Sequence, residues 1–242
     1  MTESGYPAKG RQIQERTEKM KKEELLKEAN PMLFNTDMVQ AFLEGRKRVT
    51  RRLVKFLGGR SPNWSGYIKE GLVFYNGRNE VCNEKPPCRT GDIIYVRETW
   101  QFMPCIECRK ENETCWKNRE IYEDRQSESE GCFIYRAGHP LPERFCWRPS
   151  IHMPKKAARI FLKVTDIKVE HLQDMSLEDF LMEGIVLKPE TFNDPENVFI
   201  EAQRMFRELW DSTIRKSDMD RYGWEANPWV WAVRLKREGE SG

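Results

Sequence analysis

Seven Lys or Arg and no acid lie between Arg46 and Arg60, in the stretch EGRKRVTRRLVKFLGGR. One threonine, Thr50, sits among them, three residues after Lys47. The residues alone admit three readings. The stretch can be a solvated basic face. It can be a surface for phosphates, which Lys and Arg neutralise without any sequence code, Arg46, Arg48, Arg51 and Arg52 being the candidates. Or Thr50 can act as a nucleophile toward a carbonyl while Lys47 takes its proton, which requires burial to lower the lysine pKa.

A second group of residues suits metal. Cys105 and Cys108 form a Cys-x-x-Cys pair, Cys115 follows after six residues, and Cys132 after sixteen more. Four thiolates can hold a structural zinc tetrahedrally, and the metal would order a polar loop that has no core of its own. The second Cys-x-x-Cys pair is missing, so free thiols and a disulfide stay open. Cys82 and Cys88 are alternative ligands, and Cys146 reads as a core residue. His139, His152 and His171 share no ligand spacing and read as structural or surface groups, although His152, in an extended Pro-bounded segment, can line a cleft.

These residues need elements to place them. NTDMVQAFLEG reads as a short helix capped by Thr36 and stopped by Gly45, so the basic stretch leaves a helix end and enters a strand through Leu53, Val54 and Phe56. GDIIYVRETW is a turn and then a strand with Ile94, Val96 and Glu98 on one face. Residues 158–172 alternate as a strand. Ser176 with Asp179 marks a capping box before a helix that ends at Gly184. Asp194 caps a second helix, with Pro195 in its first turn and Val198, Ala202, Met205 and Leu209 as its apolar stripe. NPWVWAVRLKRE closes the fold as a strand with Trp229, Trp231, Val233 and Leu235 on one face. Trp224, Trp229 and Trp231 read as core, with one of them, or Trp100, able to stack a base at a cleft. Residues 1–31 interleave Lys and Glu and read as a charged helix or tail in solvent; residues 32–242 form the folded domain. Between about 103 and 135 the periodicity lapses, which marks an insertion. The pattern as a whole predicts an α+β fold.

Composition sets the outer limits. The 242 residues carry 33% charged side chains but a net charge of only +2, so a nucleic-acid surface must come from local clustering. No run of 18 apolar residues exists to span a membrane, and no apolar signal segment opens the chain. Seven Cys without an export signal predict reduced thiols and a cytoplasmic location.

Gly45, Lys47 and Arg51 match the Gly-x-Lys-x-x-x-Arg signature of the ASCH family. MVQAFLEGRKRVTRR resembles that family's first helix and loop, GDIIYVRETW a barrel strand, and LEDFLMEGI its acidic helix. With RPSIHMPKKAARIFLKVTDIKVEHLQDMS and YGWEANPWVWAVRLKR, the chain resembles the larger ASCH proteins of bacterial genomes and prophages over about residues 32–237. The resemblance implies a PUA-like β-barrel with flanking helices, and a cleft for RNA or a modified nucleoside walled by residues 45–52, Glu98 and Glu183. In the smallest family members that cleft deacetylates cytidine acetylated on its exocyclic amine. Their working trio corresponds here to Lys47, Thr50 and Glu183. The chain departs from them in size, with its insertion and long C-terminal helix.

The leading expectation is recognition of RNA or a modified nucleoside, with hydrolysis of an N-acylated nucleoside as its chemical extension. A ribonuclease is one alternative, with Lys47 and the arginines stabilising a phosphorane and Glu98 or Glu183 as base. A prophage-related protein-interaction module without catalysis is the other, with the charged N-terminal segment as its docking arm.

Overall fold

The computed structural model describes residues 21–54, 74–75, 81–82, 85–104, 122–124, 129–138 and 146–238. The chain divides into two compact units, one of residues 1–40 and 93–162, the other of residues 41–92 and 163–242. The fold is α+β, with parallel and antiparallel strand pairs and flanking helices.

The first unit opens with helical residues 21–28 (α1) and a strand, Asn30–Leu33 (β1). This corrects the expectation of a wholly solvated appendage up to residue 31. Leu25 and Leu26 pack against a core of Tyr95, Trp100, Phe133, Tyr135 and Phe161, so the few apolar residues in the charged run are the ones that anchor it. Strand β1 pairs in parallel with Ile93–Arg97 (β5), with Met32 opposite Val96. Ile94, Val96 and Glu98 are all buried, as their alternation predicts.

Trp100–Pro104 (β6) pairs antiparallel with Ser129–Tyr135 (β8), and Tyr122–Asp124 (β7) adds to the other edge of β8. The two ends of the expected insertion are therefore strands of one three-stranded sheet. Two 3-10 turns follow, Ser150–His152 and Lys155–Ala157.

The helix Thr36–Leu43 (α2) carries the chain into the second unit. Its cap is Asn35, whose Oδ1 accepts from the Met38 amide at 2.8 Å, and not Thr36, which is the first helical residue. The motif stretch is itself the strand, Val49–Leu53 (β2), rather than a lead-in to one starting at Leu53. Short pairs Phe74–Tyr75 (β3) and Val81–Cys82 (β4) lie between β2 and β5 in sequence.

Phe161–His171 (β9) begins in the first unit and continues into the second, where the strand order is β9, then Trp229–Arg237 (β10), then β2. Strand β10 runs antiparallel to β2, with Val233 opposite Thr50 and Ala232 opposite Arg51. The described strands form open sheets and do not close into the barrel that the family resemblance implies.

Leu177–Met182 (α3) has the expected capping box, and Pro195–Thr213 (α4) has Asp194 as its cap. Val198, Ala202, Phe206 and Trp210 of α4 are buried against Phe180, Leu187 and Trp224, with the Phe180 and Phe206 rings 5.5 Å apart. Phe206 and Trp210 extend the expected stripe, while Met205 lies partly buried at its edge. A last helical turn, Met219–Tyr222 (α5), precedes β10. No helix among the described residues is long and apolar enough to cross a membrane.

Candidate functional site

The site forms in the second unit because three elements converge on the loop after α2. Gly45 ends the helix at φ +71°, a left-handed conformation that glycine adopts without strain. The Arg46 and Lys47 amides then both donate to the Ala41 carbonyl, at 2.9 and 3.0 Å. The Arg48 amide donates to Met182 O of α3 at 2.8 Å, and Arg48 O accepts from Leu235 of β10 at 2.8 Å. The loop is thus tied on one side to the end of α3 and on the other to β10. Gly184, just past α3, has φ +98°, and a Cβ there would lie 2.9 Å from the Ala41 Cβ, so a side chain is excluded on two counts.

That clamp brings Lys47 to Glu183 across 136 residues of sequence. The Lys47 ammonium donates to Glu183 Oε2 and, at 3.0 Å, to the Glu183 main-chain carbonyl. Its side chain is fully buried and Glu183's is 4% exposed. Burial pushes the Lys47 pKa below the ordinary lysine value, and the Glu183 charge opposes that shift without cancelling it.

Arg51 holds the other half of Glu183. Its Nη1 donates to Glu183 Oε1 at 3.2 Å, its Nε to Glu170 Oε1 at 2.9 Å, and its Nη2 lies 3.1 Å from Asp179 Oδ1. Asp179 Oδ2 accepts from the Ser176 amide and hydroxyl at 3.0 and 2.7 Å. Burial would raise the Asp179 pKa, but the Ser176 hydrogen bonds and then the Arg51 charge hold it below the ordinary value. Glu170 also meets the half-exposed Lys168, at 2.6 Å. Lys47, Arg51 and Lys168 therefore balance Glu170, Asp179 and Glu183, and Arg51 of β2 is the cation that meets both α3 and β9.

The remaining expected residues fall differently. Thr50 is 2% exposed, and strand alternation places it on the face of β2 opposite Arg51. Among the described residues no hydrogen bond joins its hydroxyl to Lys47 or Glu183. Arg51, expected on a phosphate surface, is instead enclosed by carboxylates. Arg52 is half-buried, and burial lowers its pKa against the pull of Glu183. Arg46 is held by Glu44, at 2.6 Å, and by the Gly184 carbonyl, at 2.7 Å. Arg48 is exposed, with its Nε 3.4 Å from the Gly45 carbonyl.

Glu98 and Trp100 belong to the first unit. Glu98 is buried with both carboxylate oxygens 2.8 Å from Arg159 donors, and burial raises its pKa in spite of that partner. Trp100 is 4% exposed, edge-on to Phe133, and has no open face on which to stack a base. Trp224 and Trp231 are core residues, and Trp229 is half-buried under His171, whose Nδ1 meets Asn227 O at 3.0 Å.

Cys105, Cys108 and Cys115 lie outside the described residues. Cys132, the fourth expected zinc ligand, is buried in β8 opposite Met103. Among the described residues no cluster of three His, Cys, Asp or Glu could hold a metal ion. Cys146 is exposed, correcting its assignment to the core, and Cys88 is buried with its pKa pushed up to about 11 by burial.

Sequence reasoning missed Glu170 and the second role of Asp179. Neither carries a local sequence signal, because Arg51 recruits both from a distant strand. No protein-family model matches the chain, and no curated protein or solved structure matches it either.

Proposed function

We propose that the chain recognises RNA or a modified nucleoside at the Lys47–Glu183 pair, through an ASCH-type cleft, with hydrolysis of an N-acylated nucleoside there as its chemical extension. The observation that carries this reading is a buried lysine of lowered pKa held by a carboxylate from a distant helix. A lysine whose pKa is lowered gives up its proton more readily than an ordinary lysine and can then act as a base, and Glu183 can orient it. In this reading the Thr50 hydroxyl attacks the acyl carbonyl and its proton passes to Lys47. The C–N bond then breaks, the leaving amine takes that proton, and water cleaves the threonine ester to free the acid. The Gly45, Lys47 and Arg51 signature supports the same assignment.

A second reading, recognition without turnover, is favoured by the Thr50 hydroxyl's lack of a bond to Lys47 or Glu183. Incubating the protein with acetylated cytidine and with an RNA ladder separates the readings. Freed acetate that disappears in Thr50→Ala, while ligand binding stays within a few-fold, supports hydrolysis, because a nucleophile acts on the barrier more than on binding. Binding with no acetate supports recognition alone. Cut RNA would replace both with a ribonuclease.

A further inference from the structure

The first unit carries a cationic face that the Lys47 site does not use. Residues 146–162 contain Arg148, Lys155, Lys156 and Arg159 and no Asp or Glu. Apolar residues between the cations fix the segment: Met153, Ala157 and Ala158 are buried, at 2%, 0% and 0% exposure. Pro149 and Pro154 precede the two 3-10 turns, and the Arg97 guanidinium donates to the Ile151 carbonyl within the first of them. The Tyr135 hydroxyl donates to the Ala157 carbonyl at 2.5 Å, within the second.

The cations lie over one aromatic bed. Arg148 sits 5.3 Å from the Trp100 ring centre, Lys155 5.7 Å from Tyr95, and Lys156 5.9 Å from Phe133. Those rings belong to a single buried cluster, while Arg148, His152, Lys155 and Lys156 are exposed. Arg159 differs, because its fork is taken by Glu98 and its charge is spent internally. Among the described residues neither Arg148 nor Lys155 has a carboxylate partner. The result is a set of outward charges held in fixed positions by what lies beneath them.

We propose that this face docks the phosphate backbone of a nucleic acid without regard to base sequence. Fixed cations suit a stiff polymer of regularly spaced charge, and Lys and Arg meet phosphates without reading bases. The aromatic rings lie under the charges rather than beside them, so base stacking contributes nothing here. Ile151, 58% exposed, is the large apolar side chain that the segment offers to solvent, which is too little apolar surface to enter a lipid interface. The docking face does not depend on chemistry at Lys47, and its test reads binding alone, so a chain that hydrolyses no acylated nucleoside still decides it.

The experiment titrates the full chain into a short fluorescein-labelled RNA duplex of arbitrary sequence, by anisotropy, across a series of salt concentrations. The expected result is salt-dependent binding whose log–log slope shrinks by about one unit for every phosphate contact that is lost. The triple variant Arg148→Gln, Lys155→Gln, Lys156→Gln should then lose between two and three such steps, about tenfold or more in affinity at moderate salt. Lys155→Glu alone, which leaves the rest of the segment in place, should lower affinity in the same direction if the triple variant fails to fold. Unchanged affinity and slope in folded variants would overturn the proposal. So would tighter binding to polyglutamate, or to phosphatidylserine vesicles, than to the duplex.

Discussion

Arg51 shows how far a residue's type can mislead about its role. In sequence it is one cation among seven between Arg46 and Arg60, and in the structure it faces three carboxylates from two other elements and the turn that follows one of them. Removing it leaves Glu170, Asp179 and Glu183 buried near one another without their shared counter-charge. Breaking a buried pair by deleting one partner costs about 3–5 kcal/mol. Arg51→Ala should therefore destabilise the fold by that order in urea melts and leave the salt slope of RNA binding unchanged. A folded variant of full stability with a flatter slope would return Arg51 to a phosphate surface. Lys47 gives a second prediction at this scale. Its folded pKa is lowered, so the unfolded chain binds the proton more tightly. Stability should rise with pH from that lowered value up to the ordinary lysine value, because deprotonation relieves the cost of the buried charge. Lys47→Met should lack this rise in denaturant titrations at alkaline pH.

At the scale of elements, α3 is the part on which the site depends. It is six residues long, too short to be stable alone, and it is held by a capping box at one end and by the Lys47–Glu183 contact at the other. Ser176→Ala removes the hydroxyl from the box, at a cost of about 0.5–2 kcal/mol. It also removes part of what lowers the Asp179 pKa. For wild type, the stabilisation from Asp179 is present above the unfolded carboxylate pKa and lost as pH falls through the lower folded value. In Ser176→Ala that loss should be smaller and should finish at a higher pH, which urea melts in acid would show. An unchanged acid profile would mean that the Ser176 amide and Arg51 hold the Asp179 pKa down without the hydroxyl.

The elements also show what local pattern can reveal. The boundaries of α3 and α4 were legible because Ser176, Asp179, Asp194 and Gly184 act on their own neighbours. The start of β2 was not, because Thr50, Arg51 and Arg52 have no apolar alternation; this strand is held by its pairing with β10 and by buried charge. Likewise α1 hid its anchor, since two leucines among Lys and Glu register only when Tyr95 and Phe133 are seen against them. The Lys47–Glu183 pair joins residues 136 positions apart, and only the resemblance to a known family placed them together.

Across the whole molecule, the two units hold different arrangements of charge. The second unit holds the Lys47, Arg51 and Glu183 network, whose cations are matched by carboxylates, and the first holds the outward cations at Arg148, Lys155 and Lys156. A net charge of +2 does not reveal this division, because it sums 41 basic and 39 acidic side chains wherever they lie. On the proposed reading, the Lys47–Glu183 pair receives a nucleoside. Calorimetric titration of acetylated cytidine into the wild type and into Glu183→Gln, with acetate assayed in the same cell, tests it most directly. The expected result is binding to the wild type and weaker binding to Glu183→Gln, with any acetate released by the wild type alone. Equal binding by both proteins, or no binding by a folded wild type, would contradict it.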